Sequence, residues 1–109
     1  MARQPFMSGY ILHLEAYADI DELREFIAQD DLDGADWVRD EIFEAIRRLV
    51  PFPRQGHRRS DLTSRRLRFQ IVRDYLIAYA PDAVPLLVVA VLDGRRSPRV
   101  MAAILRGRD

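Results

Sequence analysis

The chain reads as an α+β protein of order β-α-α-β-β-β, with a helical hairpin packed on a small, mainly antiparallel sheet. Two apolar stripes at helical spacing lie next to each other in its first half. Three short runs rich in β-branched and aromatic residues follow in the second half, flanked by Gly, Pro and Asp. Helices grouped apart from strands are the pattern of segregated layers rather than of alternating βαβ units. At 109 residues there is room for one core and not for two.

The elements follow in order. Residues 1–8 read as a flexible extension, with Met7 a candidate start, and residues 9–109 as a single domain. Tyr10, Leu12 and Leu14 alternate with Ile11, His13 and Glu15, which predicts one short strand with an apolar face. Ala16, Ile20, Leu23 and Ile27 then recur at steps of four, three and four, and Phe26 widens this helical stripe. Asp19, Asp21 and Glu22 fall in the first turns, where negative charge suits the positive helix end. Asp30 to Gly34 has the composition of a turn.

A second helix is predicted from about residue 35 to residue 49, with Val38, Ile42, Ala45 and Leu49 inward and Trp37 and Ile46 beside them. Arg47 and Arg48 complement its negative end, and Pro51 and Pro53 stop it. Residues 51–66 form a loop rich in Pro, Gly, Ser and Arg. Strands are predicted at 67–72, 75–79 and 86–92, joined by a tight Arg73-Asp74 turn and a longer connection opening at Pro81-Asp82. The last of these is continuously apolar, so it belongs in the centre with both faces covered. Residues 98–105 add a helical turn or two.

Composition narrows the function classes. The absence of cysteine excludes a disulfide framework and a thiolate metal site, and neither carboxylates nor the two histidines cluster at metal-ligand spacing. No cofactor is expected. The longest apolar run, Ala83 to Leu92, is about half of the ~20 residues a membrane span needs, and Pro85 interrupts it. The expectation is a cytoplasmic protein with no membrane partner. The formal charge is zero, yet residues 1–46 hold twelve acids against three arginines while residues 47–109 hold fourteen arginines against five acids. That segregation predicts a dipolar molecule with a basic surface on its C-terminal portion, suited to an acidic partner or nucleic acid.

The order of elements and their residues together resemble the RelE/ParE toxin superfamily over about residues 9–105. The matching pieces are Tyr10-Ile11-Leu12 before Ala16 and Ala18-Asp19-Ile20-Asp21; Asp40 to Ile46 in the second helix; Pro53 to Gly56 with Arg58, Arg59, Asp61 and Leu62; Leu67-Arg68; Asp74 to Tyr79; and Asp93-Gly94-Arg95-Arg96. Within the superfamily, RelE-like members cut mRNA on the ribosome with basic strand residues and a late Tyr or His. Here Leu76 stands where those ribonucleases typically place an arginine, and no Tyr or His follows Tyr79. The Tyr75-Leu76-Ile77-Ala78-Tyr79 strand is similar to the ParE-like branch, whose members bind DNA gyrase and trap its cleaved-DNA state. The resemblance therefore implies a binding protein rather than a catalyst, with no catalytic residue of its own. Its implied partners are gyrase and a ParD-like antitoxin, held in a hetero-oligomer. The alternatives are a RelE-like endonuclease with an altered residue set and a degenerate, non-toxic antitoxin-binding module.

Arg95, Arg96 and Arg99, beside Gly94 at the end of the central strand, are the expected contacts to gyrase or nucleic acid, joined by Arg66 and Arg68. Arg58, Arg59 and Arg65 belong to the same basic loop, where ion pairing and partner binding both stand open, and Arg59 with Asp61 serves equally as a loop brace. Phe26, Trp37 and Phe43, off or at the edge of the inner stripes, are the expected antitoxin-binding residues, since an amphipathic helix docks in such apolar grooves. His57 in the basic loop reads as solvent-exposed, and His13 as half of a surface pair with Glu15.

Overall fold

The computed structural model describes residues 9–108, so the expected extension at residues 1–8 lies outside the described residues. The elements are β1 (Tyr10–Leu12), α1 (Leu14–Ala28), α2 (Leu32–Leu49), β2 (Arg68–Val72), β3 (Tyr75–Ala80), β4 (Leu86–Asp93) and α3 (Pro98–Arg106). The sheet order is β1-β4-β3-β2, with β1 parallel to β4 and the other pairs antiparallel. The α+β reading holds. The helical turns expected at residues 98–105 are present as a nine-residue helix, started by Ser97, whose hydroxyl accepts from the Val100 N–H, and by Pro98 in its first turn.

The two faces of the sheet carry separate cores. Ala16, Ile20 and Leu23 of α1 and Val38, Ile42 and Ile46 of α2 pack on Tyr75, Ile77, Tyr79 and Val88. Met101 and Leu105 of α3, with Leu62 and Leu67 of the loop, pack on Leu76, Ala78, Val89 and Ala90 of the other face. Strict alternation along β4 breaks at Val89, because Ala78 pairs with Ala90 while Tyr79 pairs with Val88, leaving Val89 as the extra residue of a bulge. That shift places Val89 and Ala90 on the same face. The continuous apolar run of β4 is thus central and covered on both sides, as its sequence predicts.

Local chemistry moves three boundaries. Leu14 is the first residue of α1 and is exposed, so it does not extend the apolar face of β1. His13 is the cap of that helix: its Nδ1 accepts from the Glu15 N–H at 3.0 Å, which replaces the surface pair expected with the Glu15 side chain. The supposed Asp30–Gly34 turn contains the start of α2. The Asp31 carboxylate accepts from the Gly34 N–H at 2.9 Å, and a Cβ on Gly34 would sit 2.3 Å from that carboxylate. Cap formation there outweighs the helix-weakening effect of glycine.

Candidate functional site

Two cavities lie at opposite ends of β3. The first, about 480 Å³, is a groove between α1, the C-terminal end of β4 and α3. Leu23 and Phe26 of α1, Tyr75 and Ile104 supply its apolar wall, while Asp19, Glu22 and Asp93 face Arg95, Arg96 and Arg108. It is a mixed surface, apolar between balanced charges, which suits an amphipathic segment of a partner.

The groove exists because β1 is short. It pairs with β4 only from Leu86 to Val88, so the edge of β4 beyond Val88 has no strand neighbour on that side. Side chains take the place of a strand. The Asp19 carboxylate accepts from the Val91 N–H at 2.9 Å and binds the Arg108 guanidinium (Nη2 to Oδ1, 2.8 Å), while Arg108 Nη1 donates to the Val89 carbonyl at 3.2 Å. The Arg108 and Asp19 side chains are 9% and 14% exposed, and Glu15 stands 3.6 Å from the same guanidinium. The hydrogen bond that Arg108 donates to Asp19 is the main reason its guanidinium is held above the ordinary arginine range. An edge blunted in this way resists pairing with a stray strand.

The expected site residues separate into distinct places. Phe26, 66% exposed, shares the groove with Arg95 and Arg96, so a residue expected at the antitoxin contact adjoins two expected at the target contact. Arg95 forms a two-pronged pair with Asp93 at 3.0 and 3.1 Å and lies 3.7 Å from Asp74. That hydrogen bond, more than Coulomb attraction, holds the Asp93 carboxyl below its usual range. Arg96 and Arg99 are exposed, and neither is within ion-pair distance of a carboxylate among the described residues.

Trp37 is 68% exposed, and Phe43 is half-buried with the Arg39 guanidinium 5.0 Å from its ring centre. Both belong to α2 and neither lines the groove. Arg68 Nη1 donates to the carbonyls of Gly56 at 2.8 Å and Arg54 at 3.3 Å, so it also braces the loop. Arg59 and Asp61 form a two-pronged pair within that loop, and Arg65 donates to the carbonyls of Leu105 and Arg108. Arg66 lines the second cavity.

Sequence reasoning passed over Asp19, Glu22, Tyr75, Ile104 and Arg108 as site residues. A signal existed for Asp19: it precedes Leu23 by four and Phe26 by seven positions, which puts all three on one flank of α1. No such pattern marks Arg108.

Leu76 is 6% exposed and lies in the core beneath α3, with Met101 and Leu105 in the same cluster. The sheet face that it shares is therefore packed rather than open. The family model described as the ParE toxin of the type II toxin–antitoxin system parDE matches residues 10–98. The chain belongs to the ParE toxin family. No curated protein matches the chain. Membership in the ParE family makes it the toxin of a type II toxin–antitoxin pair, and the partner of such a toxin is its antitoxin. Among the described residues, no helix is long and apolar enough to cross a membrane.

Proposed function

We propose that this ParE-family toxin acts in the cytoplasm by binding DNA gyrase, stabilising its cleaved-DNA state, and is neutralised by a ParD-like antitoxin. The observation that carries the reading is the burial of Leu76 under α3. Cleavage of an RNA strand needs groups that accept a proton from the 2′-hydroxyl, stabilise a crowded phosphate and protonate a leaving oxygen. A leucine sealed in the core supplies none of these at the position where related ribonucleases carry an arginine. Binding to a large target, by contrast, needs only a rigid element presenting charged side chains. Arg95, Arg96 and Arg99 meet that need at the end of β4 and the start of α3.

The antitoxin reading draws on the groove and on the exposed aromatic rings. A segment carrying apolar side chains toward Phe26 and Ile104 and acidic ones toward Arg95 and Arg96 matches what the groove offers. Occupation of the groove would cover Arg95 and Arg96, so antitoxin and gyrase would compete for them. The test is a gyrase cleavage assay with the triple variant Arg95→Ala/Arg96→Ala/Arg99→Ala. The expected result is at least a tenfold loss of cleaved DNA from a variant that still unfolds cooperatively, its melting temperature lowered only by the lost exposed Arg95–Asp93 pair. Full potency in that variant would remove these arginines from the target contact.

A further inference from the structure

The second cavity, about 520 Å³, lies between the basic loop and the connection that follows β3. Arg54, Arg58, Arg66 and Arg68 converge on it with a single carboxylate, Asp82, and Leu67 and Pro81 form its apolar wall. Tyr75, at the start of β3, lines the groove, whereas Pro81, just past the end of β3, lines this cavity. Six residue steps of extended chain separate them, roughly 20 Å along the strand. The two are separate sites.

The guanidinium groups differ in how far they are committed. Arg68 is anchored by its Nη1 to the Gly56 and Arg54 carbonyls, which fixes the remaining donors at the cavity wall. Arg54 is paired with Asp82 at 2.6 Å, across two exposed side chains. Arg58 and Arg66 make neither a hydrogen bond nor an ion pair with any described residue. Four arginines against one carboxylate leave a concentrated positive charge within a chain whose formal net charge is zero.

From this arrangement we infer a binding site for the phosphodiester backbone of duplex DNA, read without regard to sequence. The planar fork of arginine matches two phosphate oxygens at once, and a pre-anchored guanidinium loses little freedom on binding. No aromatic ring lines the cavity, so it lacks the platform on which single-stranded bases stack. An acidic peptide would bring apolar side chains for which this cavity has only Leu67 and Pro81, while the groove at the other end of β3 is better suited to it. The inference rests on the gyrase–DNA reading only for its biological use; the binding is a property of the chain alone.

The test uses the full chain without gyrase or antitoxin. Its affinity for a fluorescein-labelled 20-base-pair duplex is read by anisotropy across a salt series, for the wild type, Arg58→Ala/Arg66→Ala and a charge-matched control, Arg48→Ala/Arg106→Ala. Each protein is first melted to establish that it folds. The Arg58→Ala/Arg66→Ala pair is expected to weaken binding at least tenfold at low salt. It should also flatten the log K against log salt slope by about 2, since each lost phosphate contact removes ~0.9. The control is expected to change affinity less than threefold.

Equal losses in the two double variants, no binding at low salt, or displacement of the duplex by polyglutamate of equal charge would each overturn the assignment. So would tighter binding of the corresponding single strand. Because gyrase is absent, a negative result here leaves its poisoning to stand or fall on the cleavage assay.

Discussion

Removing the Asp19 carboxylate is the perturbation whose cost the structure sets most closely. Asp19→Ala takes the acceptor from the Val91 N–H and leaves the Arg108 guanidinium, 9% exposed, with the Val89 carbonyl and a more distant Glu15. Breaking a buried pair by deleting one partner costs roughly 3–5 kcal/mol, and an orphaned buried N–H about 1–3. The pair forms the wall of an open groove, so water and Glu15 recover part of the loss. The net expectation is about 3 kcal/mol. At ~4–8 °C per kcal/mol for a domain of this size, the melting temperature should fall by roughly 12–24 °C.

Asp19→Asn keeps a carbonyl acceptor and should cost about half as much, ~1.5 kcal/mol. Urea unfolding followed by circular dichroism gives both values, with an unchanged m-value showing that only stability has moved. A double-mutant cycle with Arg108→Ala should return a coupling above about 1 kcal/mol. Asp19→Ala costing under ~1 kcal/mol, or an additive cycle, would show an ordinary surface pair and refute the account of the β4 edge.

The remaining predictions concern the loop, pH and the partner surface. The Tyr79 hydroxyl accepts from the Gly56 N–H at 2.9 Å, and a Cβ on Gly56 would lie 2.6 Å from it, so Tyr79→Phe and Gly56→Ala should each cost about 1–3 kcal/mol by urea unfolding. On the acid side, hydrogen bonds from Arg95, Arg59, Arg73 and Arg47 hold Asp93, Asp61, Glu41 and Glu44 below their ordinary values. The stability they contribute is present above those values of 3.8 and 4.5 and is lost as pH falls below them, a decline that a pH series of melts should show and that 1 M salt should shrink. On the alkaline side, burial raises the phenols of Tyr75 and Tyr79. The unfolded chain therefore ionises first, and stability should fall as pH rises past 10.0. Trp37→Ala should weaken antitoxin binding at least tenfold in calorimetry without shifting the melt, because the ring is 68% exposed; unchanged affinity would take Trp37 out of that interface.

Legibility followed how locally each feature is encoded. The stripe Ala16, Ile20 and Leu23 and the unbroken run of β4 are short-range patterns, and the structure buries them as their spacing predicts. Gly34 misled because its helix-breaking tendency is a single-residue property, while the Asp31 cap that overrides it is a contact. The helical turns at residues 98–105 were legible as well, but not their packing: the fold alone brings Met101 and Leu105 to the second face of the sheet. Charge segregation was visible in the sequence, but its expected dipole is partly cancelled across the halves by the Glu41–Arg73 and Asp19–Arg108 pairs. Asp19 and Arg108 are 89 positions apart, so only the fold brings them together. The groove escaped for the same reason, since Phe26 adjoins Arg95 only after the sheet has formed; the second cavity was half visible, because Arg58, Arg66 and Arg68 lie close in the sequence and the fold adds Arg54 and Asp82.

The gyrase reading is tested most directly by incubating the purified chain with gyrase and supercoiled plasmid, trapping cleavage complexes with detergent, and counting linear DNA. Ribosome-dependent mRNA cleavage is assayed in parallel. The account predicts linear DNA that rises with toxin dose and falls when the antitoxin is added, with the mRNA left intact. Cut mRNA with unaffected gyrase would contradict it and return the arginines to phosphate chemistry in an endonuclease. Inactivity in both assays would contradict it as well, and would mark the chain as an antitoxin-binding module without a gyrase target.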